Sequence, residues 1–279
     1  MTDLMNGSAL GLTAKCHYPA PEPPESYQAM NKTVPTNWLA HTKINPLARA
    51  RLFCFPYAGG SAAVFNKWSD YLPRSLEVCP VQLPGRSNRL GDVPFTRLAP
   101  LVDAALENLL PHLERPFALF GHSMGAIIAF ELARRLEREY HKVAIQLFVS
   151  ACRAPQLPVE DLPMYDLPEA EFIRYLRKLN GTPREILRDS EMMRLMLPLL
   201  RADIAVCQTY NYTPGPLLSC RMTAFGGIQD MDVTREHLQA WSEQTTGPFS
   251  LRMLPGDHFF LHSAEPTLLL AISQETLNW

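Results

Sequence analysis

Length, composition and charge limit the kinds of protein that this chain can be. Its 279 residues are 47% hydrophobic and 19% charged, which is enough apolar material for one large globular domain with a sizeable core. A formal net charge of −2 provides no excess of basic residues for binding nucleic acid or an anionic membrane. No apolar run approaches the ~18 residues that a membrane-spanning helix needs, so we expect no membrane partner.

Two features of the sequence concern its compartment. The N-terminus lacks a basic segment followed by a long apolar one, so a secretory signal peptide is not expected. The six cysteines are widely separated and lack the spacing of a zinc site, which favours buried, reduced thiols. Both observations predict a cytoplasmic protein.

The first part of the chain differs in composition from the rest. Residues 19–24, with the sequence Pro-Ala-Pro-Glu-Pro-Pro, form a polyproline-type segment with no hydrophobic periodicity around it. We therefore expect residues 1–35 to be a flexible, proline-rich extension and residues 36–279 to form the folded domain.

Short apolar runs alternate with amphipathic segments over the next hundred residues. The runs predicted as strands are 51–55, 76–83, 117–120 and 143–150, and the segments predicted as helices are 63–72, 98–113 and 126–139. Further along the chain, strands are predicted at 218–225 and 249–254, and helices at 234–242 and 266–277. Strands that alternate with helices predict an α/β fold with a mostly parallel sheet and helices on both faces.

The sequence Gly121-His122-Ser123-Met124-Gly125 lies between a predicted strand and a predicted helix. This is the context of the G-x-S-x-G nucleophile elbow, a strained turn that lifts a serine hydroxyl above the sheet edge. A side chain at either glycine would collide with the crossing strand and helix. The alternative interpretation is an ordinary Gly-Ser turn.

A serine hydroxyl becomes a useful nucleophile only when a base removes its proton, and the base is usually an imidazole oriented by a carboxylate. In folds with this elbow, the chain order is Ser, then Asp or Glu, then His. Asp230 and His258 each follow a predicted strand and should share one sheet edge with Ser123. Asp232 competes with Asp230, which we favour because it is nearer the strand end. His122 should point away from the serine hydroxyl and serve a structural role.

An acyl-transfer site also needs donors for the oxyanion. The Gly59-Gly60 pair follows the first predicted strand and lets backbone N–H groups approach a ligand closely. The backbone N–H groups of Ala58 and Met124 are the predicted oxyanion-hole donors. A simple strand-to-helix turn is the alternative interpretation of the Gly-Gly pair.

Three arginines, Arg86, Arg89 and Arg97, follow the second predicted strand. They could bind a phosphate, but scattered arginines more often form a solvated face, and this is what we expect here.

Residues 155–216 interrupt the alternation with helical patterns and no convincing strand. Helices are predicted at 169–179 and 191–210, and Pro198 should kink or divide the second one. A helical insertion after a sheet strand, opposite the nucleophile, predicts a lid. Its methionines could line a pocket for varied apolar chains or simply fill the core of the lid.

Four motifs together resemble the type II, or editing, thioesterases of nonribosomal peptide and polyketide synthases, which belong to the α/β-hydrolase superfamily. The motifs are Phe53-Cys54-Phe55-Pro56-Tyr57-Ala58-Gly59-Gly60, Leu83-Pro84-Gly85-Arg86, Phe120-Gly121-His122-Ser123-Met124-Gly125 and Gly256-Asp257-His258-Phe259-Phe260-Leu261. The resemblance spans roughly residues 45–278, with Asp230 at the position of the family's aspartate. Residues 1–35 have no counterpart.

The resemblance implies hydrolysis of acyl groups from the phosphopantetheine arm of an acyl or peptidyl carrier protein, which frees stalled or misprimed synthases. It implies an acyl-enzyme on Ser123, water activated by His258, and no metal or redox cofactor. We expect a monomer whose partners are carrier-protein domains. The residues alone establish only serine-dependent acyl transfer. An esterase or lipase for small free esters therefore remains an alternative, as does a binding module that keeps the fold without catalysis.

Overall fold

The computed structural model describes residues 38–40, 45–158, 163–179, 181, 188–277 and 279. The expected proline-rich extension, residues 1–35, lies outside the described residues. The division between an extension and a folded domain therefore stays a prediction.

Six strands in the described part of the chain form one sheet, and every neighbouring pair is parallel. The strands are β1 Ala50–Phe55, β2 Leu76–Pro80, β3 Phe117–His122, β4 Gln146–Ser150, β5 Arg221–Gly227 and β6 Phe249–Leu254. They lie in the order β2-β1-β3-β4-β5-β6, so all six carboxyl ends meet at one edge of the sheet. The predicted α/β-hydrolase sheet is confirmed.

The helices fill the connections between these strands. They are α1 Trp68–Tyr71, α2 Leu98–Leu109, α3 Met124–Tyr140, α4 Glu169–Leu179, α5 Ser190–Gln208, α6 Arg235–Gln239, α7 Phe260–Ser263 and α8 Glu265–Thr276. Short 3-10 turns occupy Ala62–Phe65, Ser87–Arg89, Leu110–His112, Met164–Asp166 and Ala240–Gln244. Each of the six predicted strands and each of the predicted helical segments has a counterpart.

The sheet separates two apolar cores because successive residues of a strand point to opposite faces. From β1, Phe53 and Phe55 pack into the core that α2 and α3 cover. Leu52 and Cys54, from the same strand, pack into the core that α1 and α8 cover. All four side chains are fully buried, so β1 reads as a continuous apolar run, as a strand covered on both faces should.

Prolines occur in two of the predicted helices, and they have different effects on them. The predicted helix 98–113 ends its α-helical part at Leu109 and continues as a 3-10 turn, because Pro111 has no N–H to donate. Pro198 does not divide the second predicted helix, since α5 runs through it without a break. Pro198 and Arg194 lie on the exposed side of α5, where water can satisfy the carbonyl that loses its partner.

The helical insertion between β4 and β5 contains α4 and α5 and has a small core of its own. Met193 and Met196 pack there with Phe172 and Leu176 of α4. These contacts favour the interpretation in which the methionines fill the core of the insertion. Its role as a lid stays a prediction.

Helix α3 crosses β1 so closely that Gly125 has no space for a side chain. A Cβ atom at this position would overlap the carbonyl group of Phe55. Alanine normally stabilises a helix more than glycine does. We nevertheless expect Gly125→Ala to lower the free energy of unfolding by ~1–3 kcal/mol, because the added methyl group overpacks the site. At about 2–4 °C per kcal/mol, the Tm in a thermal melt should fall by several degrees.

Gly91→Ala is the matched control, because a Cβ atom there would meet nothing within 4 Å. It should leave the Tm close to that of the unmodified protein. Equal melting temperatures for the two variants would contradict the close crossing of β1 and α3.

Candidate active site

Ser123 occupies the sharp turn between β3 and α3, with φ 53° and ψ −117°. A non-glycine residue in this region of backbone space is strained and persists only when its surroundings hold it. The Ser123 N–H donates to the Ser150 carbonyl at 2.8 Å, which fixes the turn against β4. A Cβ atom at Gly121 would overlap the carbonyl of Gly125, so the turn needs both glycines of the motif.

The imidazole of His258 lies between Ser123 and Asp230. His258 follows β6 and Asp230 follows β5, so both lie at the carboxyl edge of the sheet, as Ser123 does. His258 Nε2 is 3.1 Å from Ser123 Oγ, and His258 Nδ1 is 2.9 Å from Asp230 Oδ2. The three predicted side chains therefore form one continuous chain of hydrogen bonds.

Asp230 is held as an ionised acceptor. Its Oδ1 accepts from the backbone N–H groups of Asp232, at 2.9 Å, and Val233, at 3.0 Å. Burial alone would raise the pKa of Asp230, but the bond from His258 and these two N–H groups bring the pKa below its ordinary value. The side chain of Asp232, the competing candidate, is exposed, and the hydrogen bond from Asp232 to Asp230 comes from its backbone N–H.

His122 is fully buried behind His258. Its Nδ1 is 2.9 Å from Ser150 Oγ, and its Nε2 is 2.9 Å from the carbonyl oxygen of His258. Burial, with the neighbouring His258 ring, lowers the pKa of His122, which is therefore neutral near pH 7. Because a carbonyl only accepts, we assign the ring proton to Nε2, with Nδ1 accepting from the Ser150 hydroxyl. His122 thus supports the backbone of His258, in agreement with its predicted structural role.

The Gly-Gly loop, residues 57–61, follows β1 beside the nucleophile turn. Ala58, Ser123 and Met124 line the same cavity. Among the described residues no acceptor is bonded to the Ala58 N–H, and Met124, the first residue of α3, has no acceptor within its own helix. Ala58 and Met124 remain the predicted oxyanion-hole donors.

A cavity of about 450 Å³ opens next to Ser123 and His258. Much of its apolar lining comes from the helical insertion, namely Met164, Tyr175, Leu176, Leu179, Leu200 and Ile204. The methionines of α5 do not line it. A concave, mainly apolar space beside a few convergent polar groups is typical of a site for an apolar ligand.

Cysteine does not compete with Ser123 as the nucleophile in the described structure. Cys54, Cys79, Cys152 and Cys220 are buried, Cys207 is half-buried beside the cavity, and none of these five forms a disulfide. Burial raises the pKa of the Cys207 thiol. Burial raises the pKa of Cys79 and of Cys152 to about 12, so both remain thiols at neutral pH.

Two further findings concern ligands and membranes. Within the described ranges, no three His, Cys, Asp or Glu side chains are grouped in a way that could hold a metal ion. None of the helices in this part of the chain combines the length and the apolar character of a membrane span.

The expected solvated face of arginines is wrong. Arg86 is buried and forms a bidentate ion pair with Asp203 of α5. Arg89 stacks its guanidinium 4.9 Å from the Trp38 ring centre, and only Arg97 is exposed. The sequence analysis does not predict a role for Asp203. The signal available was a single carboxylate among apolar helix residues, because a buried carboxylate needs a partner.

The parallel sheet, the strained serine turn and the Ser–His–Asp contacts at the sheet edge define an α/β-hydrolase. Residues 50–275 match the protein family described as Thioesterase domain. The gramicidin S biosynthesis protein GrsT of Aneurinibacillus migulanus is 47% identical over 228 residues, which cover 82% of this chain and 89% of that protein. The chain therefore belongs to the thioesterase family and is a thioester hydrolase, which confirms the resemblance.

Solved structures agree with this assignment. The type II thioesterase BorB from the borrelidin biosynthetic cluster has a TM-score of 0.77 and 37% identity, over 85% of this chain and 96% of that one. RedJ, a thioesterase from the prodiginine pathway of Streptomyces coelicolor, has a TM-score of 0.77 and 38% identity, over 85% and 94%.

The two acidic side chains after β5 provide a matched pair of substitutions. An amide at position 230 cannot orient His258 as the carboxylate does, so we expect Asp230→Asn to lower kcat for thioester hydrolysis by about 10⁴. Asp232→Asn should leave kcat nearly unchanged, because the Asp232 side chain is exposed and its hydrogen bond to Asp230 comes from the backbone N–H. The measurement is steady-state hydrolysis of an acyl thioester. Equal loss in both variants would contradict the assignment of Asp230.

Proposed function

We propose that the protein hydrolyses acyl thioesters on the phosphopantetheine arm of acyl or peptidyl carrier proteins and so frees stalled or misprimed synthases. The observation that carries this proposal is the apolar cavity that opens onto Ser123 at the end of the Ser123–His258–Asp230 chain. The similarity to GrsT and to BorB supports a role in nonribosomal peptide or polyketide biosynthesis.

In the first half-reaction, Ser123 Oγ attacks the thioester carbonyl carbon and His258 Nε2 takes the hydroxyl proton. The Ala58 and Met124 N–H groups stabilise the oxyanion of the tetrahedral intermediate. The C–S bond then breaks, and the phosphopantetheine thiolate leaves with the proton from His258. Asp230 holds the Nδ1 proton and stabilises the imidazolium throughout.

In the second half-reaction, water attacks the acyl-enzyme while His258 accepts one of its protons. The bond between the acyl carbon and Ser123 Oγ breaks, and His258 returns the proton to the serine. The products are the free acid and the unmodified enzyme, so the cycle consumes only water.

Three further features belong to the same proposal. The folded domain is residues 36–279, preceded by a proline-rich extension at 1–35. The helical insertion, about residues 155–216, acts as a lid over the acyl group. The enzyme works as a cytoplasmic monomer that meets carrier domains of a synthase.

Mass spectrometry of acyl-loaded carrier proteins tests the proposed reaction. Carrier proteins with acetyl, butyryl, hexanoyl and octanoyl groups on the phosphopantetheine arm are incubated with the wild-type enzyme and with Ser123→Ala. We expect the wild type to convert them to the free thiol form and Ser123→Ala to lose about 10⁶-fold in rate.

Ser69→Ala is the matched control, because Ser69 is an exposed serine of α1. It should release acyl groups at the wild-type rate. Comparable release by Ser123→Ala would refute the serine mechanism. A strong preference for short free esters over carrier-bound thioesters would instead identify an esterase.

A further inference from the structure

A buried ion pair joins the helical insertion to the segment after β2. Arg86 and Asp203 are only 5% and 2% exposed. Arg86 Nη1 lies 2.9 Å from Asp203 Oδ2, and Arg86 Nη2 lies 2.8 Å from Oδ1. This bidentate arrangement fixes the direction of both side chains as well as their separation.

The same two side chains also hold the backbone of the Gly-Gly loop. Asp203 Oδ2 accepts from the Gly59 N–H at 2.7 Å, and Arg86 Nη1 donates to the Gly60 carbonyl at 3.0 Å. Gly59 has φ +78°, a conformation that fits few other residues. Two successive residues of the loop are therefore fixed from outside by one ion pair.

A planar peptide group transmits the restraint on Gly60 to the N–H of Ala58. The Gly60 N–H donates to the Tyr57 carbonyl at 2.9 Å. The Tyr57 carbonyl and the Ala58 N–H belong to the same trans peptide unit and point in opposite directions. A fixed Gly60 therefore sets the direction of the Ala58 N–H, which lies in a loop that lines the cavity with Ser123.

Stability alone does not account for an ion pair at this place. Removing two charges from water costs several kcal/mol per ion, and apolar residues of similar volume often replace a buried pair without loss. The neighbours of Asp203 on α5 are apolar and buried, including Leu200 and Ile204. An apolar pair could fill the same space, but it could not bond the Gly59 N–H and the Gly60 carbonyl.

We propose that Arg86 and Asp203 are positioning residues that hold the Gly-Gly loop so that the Ala58 N–H points at the oxyanion formed on Ser123. This inference rests on the proposed role of Ser123 as the nucleophile. Asp203 lies on α5, which also contributes Leu200 and Ile204 to the cavity. The position of α5 is thereby coupled to the direction of an oxyanion-hole donor.

The double substitution Arg86→Met with Asp203→Leu tests the proposal while keeping an apolar, well-filled site. Removing one oxyanion-hole donor costs about 10²–10³ in kcat, and we expect a loss of this size with the butyryl thioester of N-acetylcysteamine. KM should stay nearly unchanged, because the donor acts on the transition state rather than on the bound substrate. A thermal melt reports whether the variant is folded.

Arg86→Lys provides a second variant that keeps the charge. A single ammonium group cannot reproduce the planar fork that spans Asp203 and the Gly60 carbonyl, so we expect a smaller loss in kcat with the fold intact. The control is Arg252→Met with Glu275→Leu, which removes another ion pair, at 2.8 Å, between β6 and α8. This control should keep the wild-type kcat.

The rate at which a fluorophosphonate labels Ser123 separates this inference from the proposed function. In that reaction His258 takes the Ser123 hydroxyl proton, the Oγ–P bond forms, the P–F bond breaks with loss of fluoride, and the phosphoryl oxygen occupies the oxyanion hole. Labelling of the wild type but slow labelling of the double variant supports the inference. A folded double variant with the wild-type labelling rate and the wild-type kcat overturns the inference. If the double variant does not fold, the same two wild-type values in Arg86→Lys overturn it. An unlabelled wild type overturns the proposed function itself.

Discussion

The close crossing of β3, α3 and β1 is the constraint on which the rest of the site depends. Gly121 and Gly125 allow backbone atoms to approach where any side chain would overlap a carbonyl group. This approach forces Ser123 into a strained conformation at the carboxyl edge of the sheet. Parallel strands bring the residues that follow β5 and β6 to the same edge, so a histidine and an aspartate can meet the serine without special loops.

Two buried carboxylates perform different tasks near this edge. Asp230 accepts from two backbone N–H groups and from His258, which makes it a fixed anion beside an imidazole. Asp203 accepts from the Gly59 N–H and is neutralised by the guanidinium of Arg86. An anion next to an imidazole stabilises a charge that appears during the reaction. An anion already paired with a permanent cation cannot do so, and it serves to hold the backbone in place.

Local patterns were sufficient for the strands and for the hydrogen-bonded site residues. A strand buried on both faces reads as an apolar run, and the order Ser, Asp, His along the chain predicts Ser123, Asp230 and His258 at strand ends. What the sequence could not provide was contact between distant segments. Arg86 and Asp203 are 117 positions apart, and no periodicity relates them. The sequence also does not show that α5 continues through Pro198, because the cost of a proline within a helix depends on whether that side of the helix faces water.

The physical character of the cavity bears on the editing role proposed for this enzyme. Apolar walls distinguish acyl chains mainly through burial, and one methylene changes the discrimination by only about 10–200-fold. Such a pocket excludes an acyl group weakly unless its own polar groups are left unpaired. An enzyme that removes many different wrong acyl units gains from this weak discrimination.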